Sequence, residues 1–118
     1  MTCFCDYEQP KFYVKSIRTA RKIHRCCECY SAIIIGQKYE HVSGKWEEID
    51  IFKTCMHCVN LRDYTVNNVP CICWSHGNLI EDCIETLKEY AHELPGILFK
   101  GYRFVIAAKR QPKFKGIL

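Results

Sequence analysis

Paired cysteines constrain this chain more than any other feature of its sequence. Ten of its 118 residues are cysteine, and nine of those ten lie within three residues of another one. Such a density is typical of chains that are cross-linked by disulfides or that hold metal ions. The first residues, Met1 to Glu8, contain no basic stretch followed by an apolar one, so they predict no secretory signal. We therefore expect a cytoplasmic protein whose reduced cysteines bind zinc, and a disulfide scaffold is the alternative.

The strongest metal-binding motif consists of two Cys-x2-Cys pairs with 25 residues between them. Tetrahedral zinc takes four thiolate or imidazole ligands, and each Cys-x2-Cys turn can present two sulfurs to one ion. The intervening residues have apolar segments on either side of Ser43-Gly44-Lys45, which predicts a β-hairpin. The second pair falls on the first turn of a helix predicted from Cys55 to about Val66, where the positive helix end favours thiolates. We call the first Cys-x2-Cys turn, from Cys26 to Cys29, the knuckle. A knuckle followed by a hairpin and a helix is the plan of a treble-clef zinc finger, with zinc bound by Cys26, Cys29, Cys55 and Cys58.

Three neighbours of these pairs are competing ligands. Cys27 offers a Cys-x-Cys register with Cys29, but a gap of two residues is commoner in zinc knuckles, so we predict that Cys27 is not a ligand. His24 and His57 are chemically able to replace a cysteine. Histidines in such places are more often surface residues or hydrogen-bond donors behind the ligands.

A second set of cysteines has a different spacing. Cys-x-Cys pairs occur at Cys3 and Cys5 and again at Cys71 and Cys73, and together they predict a second zinc site that ties down the N-terminus. His76 is an alternative fourth ligand for this site. The competing interpretation is that these are reduced thiols packed as small apolar side chains.

The remaining elements follow from periodicity. Apolar residues recur at helical spacing over residues 79–94, and Asn78 followed by Glu81 resembles a capping box, so a helix is predicted there. Cys83 lies in the apolar stripe of this helix and is predicted to belong to the core. Over residues 102–109 apolar side chains alternate with others, which predicts a C-terminal strand. The fold class is therefore α+β, with a treble-clef finger, a second amphipathic helix and a C-terminal strand.

Charge is distributed unevenly along the chain. The net charge is +4, but residues 10–25 and residues 97–118 each hold six cations and no acid, so the rest of the chain is net negative. No apolar run approaches the ~20 residues that cross a bilayer, so we expect no membrane partner. The chain has the size of one domain. We predict a zinc-binding domain over residues 1–108 and a basic tail over residues 109–118.

Neither proposed zinc site predicts catalysis, because four cysteine ligands leave zinc no open position for water or substrate. The enzyme alternative is an HNH-type nuclease, which also builds its site on a treble clef, and Glu40-His41-Val42 faintly resembles its signature. The match then fails, because no asparagine lies between His41 and Cys55, and Val59 stands where that family has a histidine. A Cys73 nucleophile paired with His76 has no further support. We therefore predict a protein without catalytic activity and without a small-molecule substrate.

The chain resembles a group of small cysteine-rich proteins encoded by bacteriophages and prophages. The resemblance extends from Cys3 to about Leu94, and one departure from the usual pattern is Tyr30, where a small residue commonly follows a zinc knuckle. It implies a phage-type zinc protein and supplies no activity. The resemblance rests on the segments Cys3-Phe4-Cys5-Asp6-Tyr7-Glu8, residues 20–29, residues 39–46, Phe52-Lys53-Thr54-Cys55-x2-Cys58, Cys71-Ile72-Cys73-Trp74 and Gly77-Asn78-Leu79.

Two functions remain open at this point. The leading hypothesis is an interaction module that binds a host protein or nucleoprotein complex, including an inhibitor of a defence system, since a bipolar surface suits a partner of complementary charge. The alternative is direct binding of nucleic acid through the basic segments 11–25 and 100–115. Protein binding needs exposed aromatic anchors, for which the candidates are Trp46, Trp74, Tyr30 and Phe114.

Overall fold

A computed structural model describes residues 9–114, which form an α+β fold of two antiparallel sheets and three helices. The predicted fold class is confirmed. Within these residues, no helix is both long and apolar enough to cross a membrane. In chain order the elements are β1 (Phe12–Thr19), β2 (His24–Arg25), β3 (Ala32–Ile33), β4 (Lys38–Lys45), β5 (Ile49–Cys55), α1 (Met56–Asn68), α2 (Leu79–Tyr90) and α3 (Ile97–Lys109).

The larger sheet has the strand order β1-β4-β5, and the smaller one pairs β2 with β3 around the first Cys-x2-Cys turn. The predicted hairpin is β4–β5, but its turn comes after Lys45 and not at Gly44. Gly44 lies inside β4, where it pairs with Tyr13 of β1 and Asp50 of β5. The ring of Trp46 packs over it, and a Cβ at that position would come within 2.6 Å of the ring. A glycine inside a strand thus marks a close packing contact here rather than a turn.

The larger sheet has one covered and one open face. Side chains directly opposite one another point to the same side, so Lys15, Val42 and Phe52 share a face, and Glu40 lies on that face two residues from Val42. Arg62 of α1 binds Glu40, so this face packs against the helix. The other side also carries the buried residues Tyr39 and Cys55. Its exposed and half-buried residues, which we call the open face, are Phe12, Val14, Ser16, Arg18, His41, Ser43, Lys45, Ile49, Ile51 and Lys53.

The C-terminal strand is the one element that the sequence predicts wrongly, because residues 97–109 form the helix α3. The alternation over residues 102–109 also contains a helical pattern, since Gly101, Val105 and Ala108 are all buried at helical spacing. Gly101 lets α3 approach α2 closely: a Cβ there would lie 2.4 Å from Leu87 Cδ1. The local sequence fits both the strand period and the helix period, and packing against α2 favours the helix.

The other helices lie near their predicted places. The helix predicted over residues 79–94 begins at Leu79 as expected and ends at Tyr90. Cys83 is fully buried in the core, as predicted for its position in the apolar stripe. This core joins all three helices and consists chiefly of Leu61, Leu79, Cys83, Ile84, Leu87, Ile97, Val105 and Ala108.

The predicted basic tail over residues 109–118 is partly described. Lys109 is the last residue of α3, and residues 110–114 continue onto the knuckle between β2 and β3. The Ala32 amide donates to the carbonyl of Pro112, and the Phe114 amide donates to the carbonyl of Tyr30. Residues 115–118 lie outside the described part of the chain.

Candidate metal centre and its surroundings

The structure brings together the four cysteines of the two Cys-x2-Cys pairs. All four sulfurs lie within 4.8 Å of one another. Cys26 Sγ is 3.9 Å from Cys58 Sγ, and Cys29 Sγ is 3.6 Å from Cys55 Sγ. Tetrahedral zinc with Zn–S bonds of about 2.3 Å places its sulfurs about 3.8 Å apart. The cluster therefore has the spacing of a zinc site.

Three elements position these sulfurs. Cys26 and Cys29 lie in the turn between β2 and β3, Cys55 ends β5, and Cys58 lies in the first turn of α1. The backbone amides of Glu28 and Cys55 point at Cys26 Sγ, at 3.4 and 3.3 Å. Amide donors and the positive helix end stabilise negative charge on sulfur. The local backbone is thus arranged for thiolates.

Hydrogen bonds between the sulfurs shift the pKa values of these thiols in opposite directions. The pKa of the Cys29 thiol is lowered, chiefly by the hydrogen bond between Cys29 and Cys26. Hydrogen bonds with Cys26 and Cys29 raise the pKa of the Cys58 thiol. Four buried thiolates repel one another unless a cation lies between them, and a coordinating metal ion removes thiol protons. The donor set of four buried sulfurs thus fits a soft divalent ion, and it is consistent with zinc.

The competing ligands lie outside this cluster. Neither His24 nor His57 belongs to the four-sulfur group. The ring of His24 packs on Tyr39, with ring centroids 5.1 Å apart, and its Nδ1 lies 3.2 Å from Lys53 Nζ. Cys27 Sγ points away from the four sulfurs, toward Thr54 Oγ1 at 3.5 Å. The cluster is thus closed by cysteines alone.

The second predicted zinc site is not assembled among the described residues. Cys3 and Cys5 lie outside them, whereas Cys71 and Cys73 follow α1 in an irregular segment and are both disulfide-bonded. A disulfide sulfur has no thiolate to offer a metal ion. The site of Cys3, Cys5, Cys71 and Cys73 therefore stays a prediction, which applies to the reduced protein.

Glu28 has a role that the sequence does not indicate. Its carboxylate accepts hydrogen bonds from the backbone amides of Gly77, at 2.9 Å, and Leu79, at 3.0 Å. Asn78, the residue before α2, makes no side-chain capping bond. The knuckle therefore caps α2 across about fifty residues of chain, and no local signal in the sequence reveals a partner that distant.

His76 stands beside this carboxylate in an aromatic setting. Its ring stacks on Phe52 with centroids 4.1 Å apart and meets Trp74 edge to face at 4.9 Å. Its Nε2 hydrogen-bonds the Tyr13 hydroxyl at 3.0 Å. Burial lowers the pKa of His76 to about 4, so the imidazole is neutral near pH 7.

Glu40, the acid of the Glu40-His41-Val42 segment, forms an ion pair with Arg62. Arg62 donates to both oxygens of Glu40 at 2.6 Å, and both side chains are buried. Burial alone would raise the pKa of Glu40, but the hydrogen bonds and charge of Arg62 hold it below its ordinary value. Trp74 covers the Arg62 guanidinium at 5.5 Å. Glu40 thus joins α1 to the larger sheet.

The four aromatic anchor candidates fall in different surroundings. Trp46 and Trp74 are half-buried and line a cavity of about 750 Å³ on the covered face of the larger sheet. Phe114 is also half-buried. Tyr30 is 52% exposed, and its backbone has a φ of 62°, in the left-handed region that favours glycine. Tyr30 is thus the most exposed candidate of the four.

The two basic segments meet around Tyr30. The Arg25 guanidinium lies 5.0 Å from the centre of the Tyr30 ring. Lys113 donates to the carbonyl of Cys29, and with Lys109 it lines a second cavity of about 300 Å³ beside Tyr30. Cations from both ends of the chain therefore adjoin the knuckle.

No family model, no curated protein and no solved structure matches the chain.

Proposed function

We propose that this protein is a non-catalytic zinc module of the treble-clef type that binds another protein. The four-sulfur cluster would hold a structural zinc ion, since four protein ligands complete a tetrahedral shell. The resemblance to phage proteins makes a bacterial cytoplasmic protein or nucleoprotein complex the first partner to test, including one that belongs to a defence system.

The open face of the larger sheet is the observation that carries this proposal. Val14 and Ile49 are each 60% exposed there, and Ile51 is 57% exposed. Soluble proteins rarely expose neighbouring large apolar side chains unless they form an interaction site. Arg18 and Lys53 lie toward the other end of the same face, and none of its ten residues is acidic. The expected partner therefore has an apolar contact surface with acidic residues beside it.

The proposal is tested by capture with the full-length, zinc-loaded chain from a nuclease-treated bacterial lysate. We expect a stoichiometric protein partner that is lost with Ile51→Glu, because a buried unpaired carboxylate at the interface costs binding free energy. Phe99→Glu is the matched control, since Phe99 is 69% exposed on α3 and away from the open face.

Two results would contradict the proposal. One is equal capture by wild type and Ile51→Glu, when circular dichroism shows both to be folded. The other is that sedimentation shows the chain to be a dimer which Ile51→Glu dissociates. In that case the open face is covered by a second copy and is not available to a different partner.

Nucleic-acid binding is a second candidate, favoured by the cations that adjoin Tyr30. A stacking ring flanked by Arg25, Lys109 and Lys113 is an arrangement that holds bases and phosphates. This candidate requires contact at the knuckle rather than at the open face.

Labelled single-stranded DNA and RNA distinguish the two candidates. A nucleic-acid binder loses affinity with salt at a log–log slope of about −0.7 per phosphate contacted. Arg25→Glu should then abolish binding, whereas Lys88→Glu, an exposed charge on α2, should leave it intact. Binding that is insensitive to both salt and Arg25→Glu would count against this candidate.

A further inference from the structure

We infer that Cys27, Glu28 and His76 form a second metal site, distinct from the four-sulfur cluster, that takes zinc in a mixed sulfur, oxygen and nitrogen environment. One ligand atom from each of the three residues lies within 4.8 Å of the other two. Cys27 is next to Cys26 in sequence, but its sulfur is not part of the four-sulfur cluster. The knuckle would then hold two ions, one on each side of its backbone.

The distances are close to those of a zinc shell. With Zn–S bonds of about 2.3 Å and Zn–O bonds of about 2.0 Å, a tetrahedral ion places sulfur and oxygen about 3.5 Å apart. Cys27 Sγ is 3.4 Å from Glu28 Oε2. His76 Nδ1 is 4.0 Å from the same oxygen, about 0.6 Å more than tetrahedral zinc requires. A small movement of the imidazole closes that gap.

The imidazole is oriented for this role. The His76 side chain is only 7% exposed, and its Nδ1 is a buried polar atom with no hydrogen-bond partner among residues 9–114. Buried polar atoms nearly always have a partner, so an orphaned one asks for an explanation. The other ring nitrogen, Nε2, hydrogen-bonds the Tyr13 hydroxyl, and in the tautomer in which Nε2 donates this bond, Nδ1 carries a free lone pair for a metal ion.

The carboxylate is held in place by the fold. Glu28 keeps its bonds from the amides of Gly77 and Leu79, which fix its position without using all its lone pairs. In the metal-free state the Cys27 thiol donates to Glu28 Oε2. On binding, the thiol proton leaves to solvent, and the metal ion takes its place between sulfur and oxygen. Three protein ligands leave zinc a fourth position for water or for a donor from a partner.

The test is a count of bound zinc ions by native mass spectrometry with Zn²⁺ as the only added metal. Non-reducing buffer keeps Cys71 and Cys73 as disulfides, so they supply no thiolate. We expect wild type to bind one ion more than Cys27→Ala and one more than His76→Phe, which keeps a flat ring on Phe52. The exposed control His92→Gln should bind as many ions as wild type.

Cadmium-113 NMR supplies a second readout, because the resonance position depends on how many sulfurs hold the ion. We expect a resonance for a single-sulfur site that disappears in Cys27→Ala and His76→Phe while the four-sulfur resonance remains. Because the four-sulfur resonance requires a folded knuckle, its presence in a variant shows that loss of the single-sulfur resonance is not caused by unfolding. An unchanged ion count in Cys27→Ala, or no single-sulfur resonance in wild type, would overturn the inference.

Discussion

Two neighbouring cysteines of the knuckle face different surroundings, and the difference separates a closed site from an open one. Cys26 points into a cluster of four buried sulfurs that belong to the knuckle, β5 and α1. Cys27 points to the other side, toward Thr54 and Glu28, with His76 beyond. The first cluster offers four sulfur atoms, enough for a tetrahedral metal ion, and the second offers three potential ligand atoms.

This contrast shows how a short turn can serve two purposes. A closed sulfur site contributes folding free energy and excludes chemistry. A three-ligand site leaves a position for an outside donor. In this chain the first joins the knuckle to β5 and α1, while Glu28 joins the knuckle to α2. The predictions below separate these roles, from the largest expected effect to the smallest.

The largest effect is expected at the closed cluster. Cys58→Ser removes a ligand from the first turn of α1, and structural zinc sites contribute on the order of 10 kcal/mol to folding. Because this contribution is comparable to the whole free energy of unfolding of a small domain, we expect the variant to lose zinc and to show no cooperative unfolding. Zinc content and a thermal melt by circular dichroism check this. A folded, zinc-bound Cys58→Ser protein would show that the four sulfurs do not act as one site.

An intermediate effect is expected at Glu28. Glu28→Ala leaves the amides of Gly77 and Leu79 without their acceptor, at about 1–3 kcal/mol for each buried group. Glu28→Gln retains one acceptor oxygen and should cost about half as much. Urea unfolding measures both, with the zinc of the four-sulfur cluster as the internal control. Equal costs for Ala and Gln would mean that the carboxylate does not cap α2 through both oxygens.

The closed cluster could be predicted from the sequence because its ligands follow a local rule. Two Cys-x2-Cys turns each bring two sulfurs together, whatever the rest of the fold does. The start of α2 and the burial of Cys83 follow from helical periodicity in the same way. Glu28 and His76 obey no such rule, since they are far apart in sequence and only the folding of α2 against the knuckle brings them together.

The errors have the same physical origin. The residues of α3 fit the strand and helix periods about equally, and contact between Gly101 and Leu87 decides between them. Ser43-Gly44-Lys45 has the sequence of a turn, but Gly44 pairs with Tyr13 of β1 and Asp50 of β5 and so lies inside β4. In both cases contact with residues distant in the sequence overrides a local preference that is weak.

A small effect is expected at Cys27, in contrast to Cys26 beside it. Cys27 is half-buried, and burial raises the pKa of its thiol to about 12, so it is neutral and only weakly hydrogen-bonded near pH 7. In protein that holds one zinc ion in the four-sulfur cluster, Cys27→Ala should cost no more than about 1 kcal/mol of unfolding free energy. Cys26→Ala, compared by the same urea titration, should unfold the protein. Similar losses for the two variants would remove the distinction between the sites.

The smallest effect on stability is expected at Tyr30, where strain and exposure coincide. A non-glycine residue in the left-handed region costs roughly 1 kcal/mol, so Tyr30→Gly relieves strain. The greater freedom of glycine in the unfolded chain and the lost contact with Arg25 offset most of that gain, for a net change within about 0.5 kcal/mol. Urea unfolding gives this value, with Tyr30→Ala as the control that loses the ring and keeps the strain.

Binding measurements on the Tyr30 variants distinguish the two candidate interfaces, which stability measurements cannot do. Tyr30 combines a strained backbone with an exposed ring, and strained residues cluster at sites that contact ligands. If the knuckle binds nucleic acid, Tyr30→Gly and Tyr30→Ala should weaken that binding equally, because both lose the stacking ring. If the open face alone makes the contact, both variants should bind like wild type, while Ile51→Glu does not. Tyr30 thereby decides which side of the molecule meets the partner, at almost no cost to the fold.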